Sequence, residues 1–265
     1  MPKQIKQFLT LGLLLCLTLI LCTGFAGPAR AGKAMKSLAL APSSSTVEVV
    51  ALYETSYAAQ KTVAKALKTS SKLMKKAAGF QGFSLLQSQD GKQVVAFSQW
   101  QDLASYQAYT ASQPTDSNPP SPSPGLAPPP APTQVQMFEG ATTQTAIAGA
   151  TPALRGKEAV VQLVEFTTKT PEGRTRVLNH LQTVVPDLLQ KQPIPQSMVV
   201  LRGVDNGPIA LLTNWNCSAL FEDVGKPTPF VPDDELVALA DSQQQLYNVV
   251  TIIPTEAKKE AKADD

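Results

Sequence analysis

The chain has 265 residues, 43% of them hydrophobic, with 23 basic and 21 acidic side chains and a single histidine. So even a charge balance does not suit a dedicated nucleic-acid binder, which needs a basic face to meet phosphates. The single histidine and three cysteines leave few metal ligands, and no recognisable metal-ligand spacing, GxGxxG or P-loop occurs in the chain.

Residues 1–31 read as a signal peptide. Lys3 and Lys6 form a basic start, Leu9 to Cys22 is apolar, and Ala29-Arg30-Ala31 offers a small-x-small cleavage site. A retained membrane anchor is the competing reading; a lipoprotein anchor is disfavoured because Leu15 and Leu21 precede Cys16 and Cys22. Cleavage would leave 234 residues with 20 basic and 21 acidic side chains, no integral membrane segment, and Cys217 as the lone cysteine. The expectation is an exported protein of a periplasm, a lumen or the medium, with no internal disulfide and a fold held by its core.

After an extended lead-in (32–46), a first unit over 47–147 is expected to carry strands near 47–54, 82–88, 92–100 and 133–140. Its helices are expected near 58–78 and 101–111. Asp90-Gly91 predicts a two-residue hairpin between the middle strands. The proline-rich stretch 113–132 cannot be helix or inner strand and is read as a loop inserted before the last strand. A second unit over 157–254 repeats this order, with Asn206-Gly207 at the hairpin, an insertion at 226–241 and a last strand at 244–253. Residues 255–265 form a charged tail. The repeat is most visible in VVAFSQWQDLASY (Val94–Tyr106) and IALLTNWNCSALF (Ile209–Phe221), each an apolar run closed by a tryptophan with an aromatic six residues later. Val47 to Trp100 spans 53 residues and Val160 to Trp215 spans 55.

Several strands are apolar on both faces. Val47, Val49, Ala51 and Tyr53 oppose Val50 and Leu52, and Ile209, Leu211 and Trp215 oppose Ala210 and Leu212. Helices cover one face of such a sheet, so the sister unit is expected to cover the other. The fold expected is therefore α+β: two tandem ferredoxin-like βαββαβ units with antiparallel sheets packed face to face, an intramolecular dimeric α/β barrel. Such a pseudo-dimer is expected to be monomeric.

The paired units, Gly79-Phe80-Gln81-Gly82-Phe83 before the second strand, and Gln99-Trp100-Gln101-Asp102 closing the third resemble the antibiotic biosynthesis monooxygenase-like family. The second copy keeps Asn214-Trp215-Asn216 but has Pro193-Ile194-Pro195 in place of the Gly-Phe turn. The resemblance implies a dimeric α/β barrel and, in some members, cofactor-free oxygenation of aromatic or quinone-like compounds; no cofactor is expected. Haem-degrading members carry a first-strand Asn and a His after the Trp. Here Tyr53, Glu54, Glu165 and Phe166 occupy the first strands and Thr110 stands where the His would be, so that activity is disfavoured. Quinone-forming members combine a Trp and a Tyr, which points to Trp100 and Tyr106 as catalytic candidates, with an N–H and an O–H to polarise an oxyanion. Tyr53, Glu54, Glu165, Asn214 and Trp215 are candidate pocket residues.

Each candidate also has a plainer reading. Strand-end tryptophans are often core, tyrosines often bridge core and surface, and Glu54 and Glu165, read as equivalent strand ends, could simply be exposed. His180 falls beside the apolar stripe Val177, Leu181, Val184 and Leu188 and reads as a boundary residue; Cys217 reads as a small residue at a helix start. Lys61, Lys65, Lys68, Lys72, Lys75 and Lys76 form a stripe on the first long helix, opposite Val63, Ala66, Leu67, Leu73 and Met74. That stripe reads as a solvated face, with an acidic partner or membrane surface as the alternative. Three functions remain open on sequence: an oxygenase, a non-catalytic binder of a small aromatic ligand, and an envelope interaction protein that uses the proline-rich loop.

Overall fold

The computed structural model describes residues 36–40, 45–113, 130–156, 159–191, 194–215 and 230–254. The expected signal peptide, most of the proline-rich loop, Cys217, Phe221 and the tail lie outside them. The first four long strands are β2 (Val47–Glu54), β3 (Phe80–Ser88), β4 (Gln93–Trp100) and β5 (Gln134–Thr145), joined through helices α1 (Gln60–Met74) and α2 (Leu103–Ala111). The next four are β7 (Val160–Thr168), β8 (Ser197–Gly203), β9 (Ile209–Trp215) and β10 (Ala240–Ile253), with helices α3 (Pro171–Leu188) and α4 (Asp234–Leu239). Short strands β1 (Ser37–Ala39) and β6 (Ala153–Arg155) pair with each other.

The two sheets do more than face one another. β5 pairs with β8 and β10 pairs with β3, so eight antiparallel strands close into one barrel in the order β10-β3-β4-β2-β5-β8-β9-β7. Every long strand thus finds two neighbours, which removes the exposed edges that two stacked sheets would retain. The period-two alternation of each strand now has a clear meaning. Even positions of β2, Val50 and Leu52, join Phe97, Phe138, Leu163, Val199 and Leu212 in a core shared by both halves of the chain. Odd positions face the helices instead: Val47 and Val49 pack with Trp100, and Ala51 and Tyr53 pack against Ala64 and Leu67 of α1.

Register makes the halves comparable. Val47 lies opposite Trp100 and Val160 opposite Trp215. Position by position, Tyr53 then corresponds to Phe166, Glu48 to Val161, and Leu52 to Glu165. The expectation that Glu54 and Glu165 are equivalent is therefore corrected: the counterpart of Glu54 is Thr167, because Glu165 lies two residues earlier along its strand.

Local chemistry explains the ends of the elements. Asp102 caps α2 by accepting from the Ser105 N–H at 2.7 Å, and Thr170 caps α3 by accepting from Gly173. Gln60 pins α1 to the β3–β4 hairpin, donating from Nε2 to the carbonyls of Ser88 and Gln93, each at 2.9 Å. That hairpin is longer than the two-residue turn expected. Ser88 and Asp90 bridge it by side chain, and Gly91 takes a left-handed φ of 78°. Of the expected apolar set, Leu67 is buried and Val63 and Met74 pack against the core, while Leu73 is left exposed and Gln60, Ala64 and Ser71 complete the buried face of α1. All six lysines of the stripe are exposed. The lead-in also departs from expectation: β1 lies against the barrel, where Leu38 is fully buried and the Ala39 carbonyl accepts from Gln99 Nε2 at 2.8 Å.

Candidate functional site

The predicted residues separate onto two faces of the barrel wall. On the helix side of the first half, Trp100 ends β4 with its ring fully buried. Phe80 meets it edge-on at 5.6 Å between centroids, Tyr106 lies at 5.7 Å and Tyr109 at 5.0 Å. The indole N–H donates to Ser98 Oγ at 3.0 Å. α2 comes close enough to deliver both tyrosines because Gly79, at φ 75°, has no Cβ; one placed there would sit 2.2 Å from Ser105 Oγ.

Tyr53 approaches the two tyrosines from β2, six residues along the strand from Val47, which pairs with Trp100. Burial, reinforced by the nearby Tyr106 and Tyr109, pushes its phenol up to about 12. Burial raises Tyr106 and Tyr109 as well. Three phenols are thus held in the neutral form, as hydrogen-bond donors rather than bases. Sequence reasoning missed Tyr109, although its place three residues after Tyr106 on one short helix was a readable signal.

The second half covers the same face with hydrocarbon. Phe166 stands where Tyr53 stands in the first half, and Phe230 meets it edge-on at 6.0 Å. Leu236 and Leu239 of α4 pack onto the same cluster as Val177, Leu181 and Val185 of α3. Trp215 closes β9 and is 4% exposed. Among the described residues, this layer holds no counterpart of the phenol cluster.

The other predicted residues face the lumen or its rim. Asn214 is fully buried and donates to Ser197 Oγ at 2.5 Å, while its Oδ1 has no partner among the described residues. Glu54 is exposed at the end of β2. Glu165 lines a cleft at the open end of the lumen, and its carboxyl is raised by burial against the opposing hydrogen bond from Gln136, at 3.0 Å. The structure therefore brings Trp100 and Tyr106 together, with Tyr53 near Tyr106, and leaves Glu54, Glu165, Asn214 and Trp215 apart from them.

Two further polar residues stand out. Glu48, given no place on sequence, points into the lumen beside Gln99, is 1% exposed, and has no partner for Oε2 among the described residues; burial pushes its carboxyl up to about 7. His180, expected at a boundary, lies between two acids, with Nε2 at 2.6 Å from Asp233 and Nδ1 at 3.1 Å from Glu235. It clasps α3 to the start of α4, where the Asp233 carboxylate also caps the helix.

An eight-stranded antiparallel barrel with helices outside, two βαββαβ strand sets and an aromatic pocket wall under one helical layer defines the α/β-barrel class. Residues 46–115 match the family model described as "Antibiotic biosynthesis monooxygenase". No curated protein matches the chain in sequence. Among solved structures, an anthrone oxidase-like protein is 16% identical over 84% of this chain and 98% of its own, with a TM-score of 0.60. A Fusobacterium nucleatum protein provisionally named a monooxygenase is 8% identical over 81% of this chain and 96% of its own, with a TM-score of 0.51. At those identities the likeness is one of fold.

Proposed function

We propose that the protein is a cofactor-independent oxygenase of a small aromatic or quinone-like molecule, acting at the helix side of the first half. The observation that carries this reading is the packing of Tyr106 and Tyr109 against Trp100, with Tyr53 near those two tyrosines and each phenol raised by burial. The names borne by the two fold neighbours lean toward the same reaction class. A substrate with an acidic CH2 next to a carbonyl enolises, and its oxyanion is then electron-rich enough to reduce O2. Neutral phenols donate to that oxyanion, and aromatic walls keep water from it. The balance is CH2 plus O2 giving C=O plus water. Both carbon-bound hydrogens leave in the water, and the second oxygen atom stays on carbon.

In this reading the two halves are tandem family units, each taking the part of one subunit of a dimer, and the mature chain is a monomer. Residues 1–31 direct export and are then removed. A second reading, ligand binding without turnover, draws on the Trp100 N–H being already donated to Ser98. Oxygen uptake by the purified, metal-free protein with anthrone or a naphthohydroquinone separates the two. Turnover should consume one O2 per anthrone and fall at least tenfold in Tyr106→Phe and Tyr53→Phe, with the fold intact by circular dichroism. Binding of anthrone without oxygen uptake would select the second reading, and equal rates in wild type and both variants would remove these tyrosines from the chemistry.

A further inference from the structure

The open end of the lumen is built differently from everything else in the barrel. Leu52, Val95 and Leu163 give it an apolar floor, and around them stand Gln93, Gln134, Gln243, Gln245 and Tyr247. The cleft has a cavity volume of about 90 Å³ and is open on one side, room for a small polar group with the rest of its molecule lying across the mouth. Glu165 is the one charged residue of the lining. One of its oxygens accepts from Gln136, and among the described residues no Lys, Arg or His forms an ion pair with it.

The barrel does not need a carboxylate at that level. Leu52 fills the corresponding place in the first half, in the same register and facing the same lumen. A half-buried carboxylate without a countercharge loses hydration and gains little in return, which burial records as a raised pKa. The surrounding amides cannot neutralise it, but their carbonyl oxygens can accept further hydrogen bonds. Tyr247 already shows the pattern, donating its O–H to Gln93 Oε1 at 2.8 Å. A group that suits such a ring has a positive charge for Glu165 and several N–H bonds for the glutamines. An apolar body attached to it would cover Leu52 and Leu163.

We propose that this cleft is a binding site for a small protonated primary amine with an apolar body, anchored on Glu165. It is separate from the phenol cluster: Leu52 faces the lumen, whereas the adjacent Tyr53 faces the helices. The amine's ammonium group sits against the free oxygen of Glu165, and its hydrocarbon lies on the wall contributed by β2 and β4.

Isothermal titration of the full chain with benzylamine, and with benzyl alcohol as its uncharged analogue, tests this. Benzylamine should bind at least tenfold more tightly than benzyl alcohol. Glu165→Gln should weaken benzylamine at least tenfold, and so should Glu165→Leu, which copies the first half and guards against a folding defect in the amide variant. Tyr106→Phe should leave benzylamine affinity unchanged, so failure here and failure of the oxygenase reading are told apart. No benzylamine binding by the wild type, equal affinity for the alcohol, or undiminished binding by folded Glu165→Gln would each overturn the proposal.

Discussion

The two halves of the barrel share a strand register and differ in what covers it. In the first, Tyr106 and Tyr109 pack against Trp100 with Tyr53 close to both tyrosines, and the layer keeps half-buried hydroxyl groups. In the second, Phe166 takes the place of Tyr53, and Phe230 with α4 closes the layer with hydrocarbon. The backbone scaffold alone therefore does not make a site. The chemistry depends on which side chains the covering helices present, and among the described residues only the first half gathers phenols beneath its helices.

The strongest way to break this comparison is to empty its centre. Trp100→Ala should cost about 3–5 kcal/mol in urea unfolding, the range for truncating a fully buried large aromatic. A cost below about 1 kcal/mol would mean that the aromatic wall contributes no packing.

The lumen offers the next contrast, because Glu48 faces the position-matched Val161. Its carboxyl is raised from 4.5 to about 7 in the fold. Between those values the native protein holds a proton that the unfolded chain has released. Stability should therefore fall as pH rises through that window and level off above it, by about 3 kcal/mol in all. Glu48→Gln should remove this slope and be more stable than wild type above pH 7. Parallel unfolding profiles for the two proteins from pH 4.5 to 8 would contradict the burial of that carboxyl.

A smaller effect sharpens the role of the turn that differs between the halves. Gly79→Ala forces a Cβ into Ser105 at a left-handed φ, and about 2 kcal/mol of destabilisation is expected. The double variant Gly79→Ala/Ser105→Gly should recover part of that loss, since the clash is removed and the backbone strain remains.

Much of the scaffold was legible because its signals are local. Period-two alternation in Val47–Glu54 put Tyr53 on one face with Val47, Val49 and Ala51, and the tryptophan spacing put Trp100 and Trp215 at matching strand ends. Other features were read wrongly for identifiable reasons. Glu48 sits in an apolar run and was passed over, because a single acid in a strand gives no sign of whether its face is wet. Glu54 and Glu165 were matched by distance from the strand end, whereas hydrogen-bond register decides equivalence. Leu73 was placed in the core by its hydropathy, yet α1 buries Ala64, Leu67 and Ser71 because Gln60 fixes the helix rotation at the hairpin.

What the amino-acid sequence determined by itself is the repeated βαββαβ order, the two-faced apolar strands and the pairing of Trp100 with Tyr106, since each is a pattern of neighbours along the chain. Only the tertiary structure decided that β10 joins β3 and β5 joins β8, because edge pairing between segments far apart along the chain leaves no local trace. That closure made one face of every strand a shared lumen. It thereby set Glu48 and Glu165 inside the barrel and left the three tyrosines outside it under a helix.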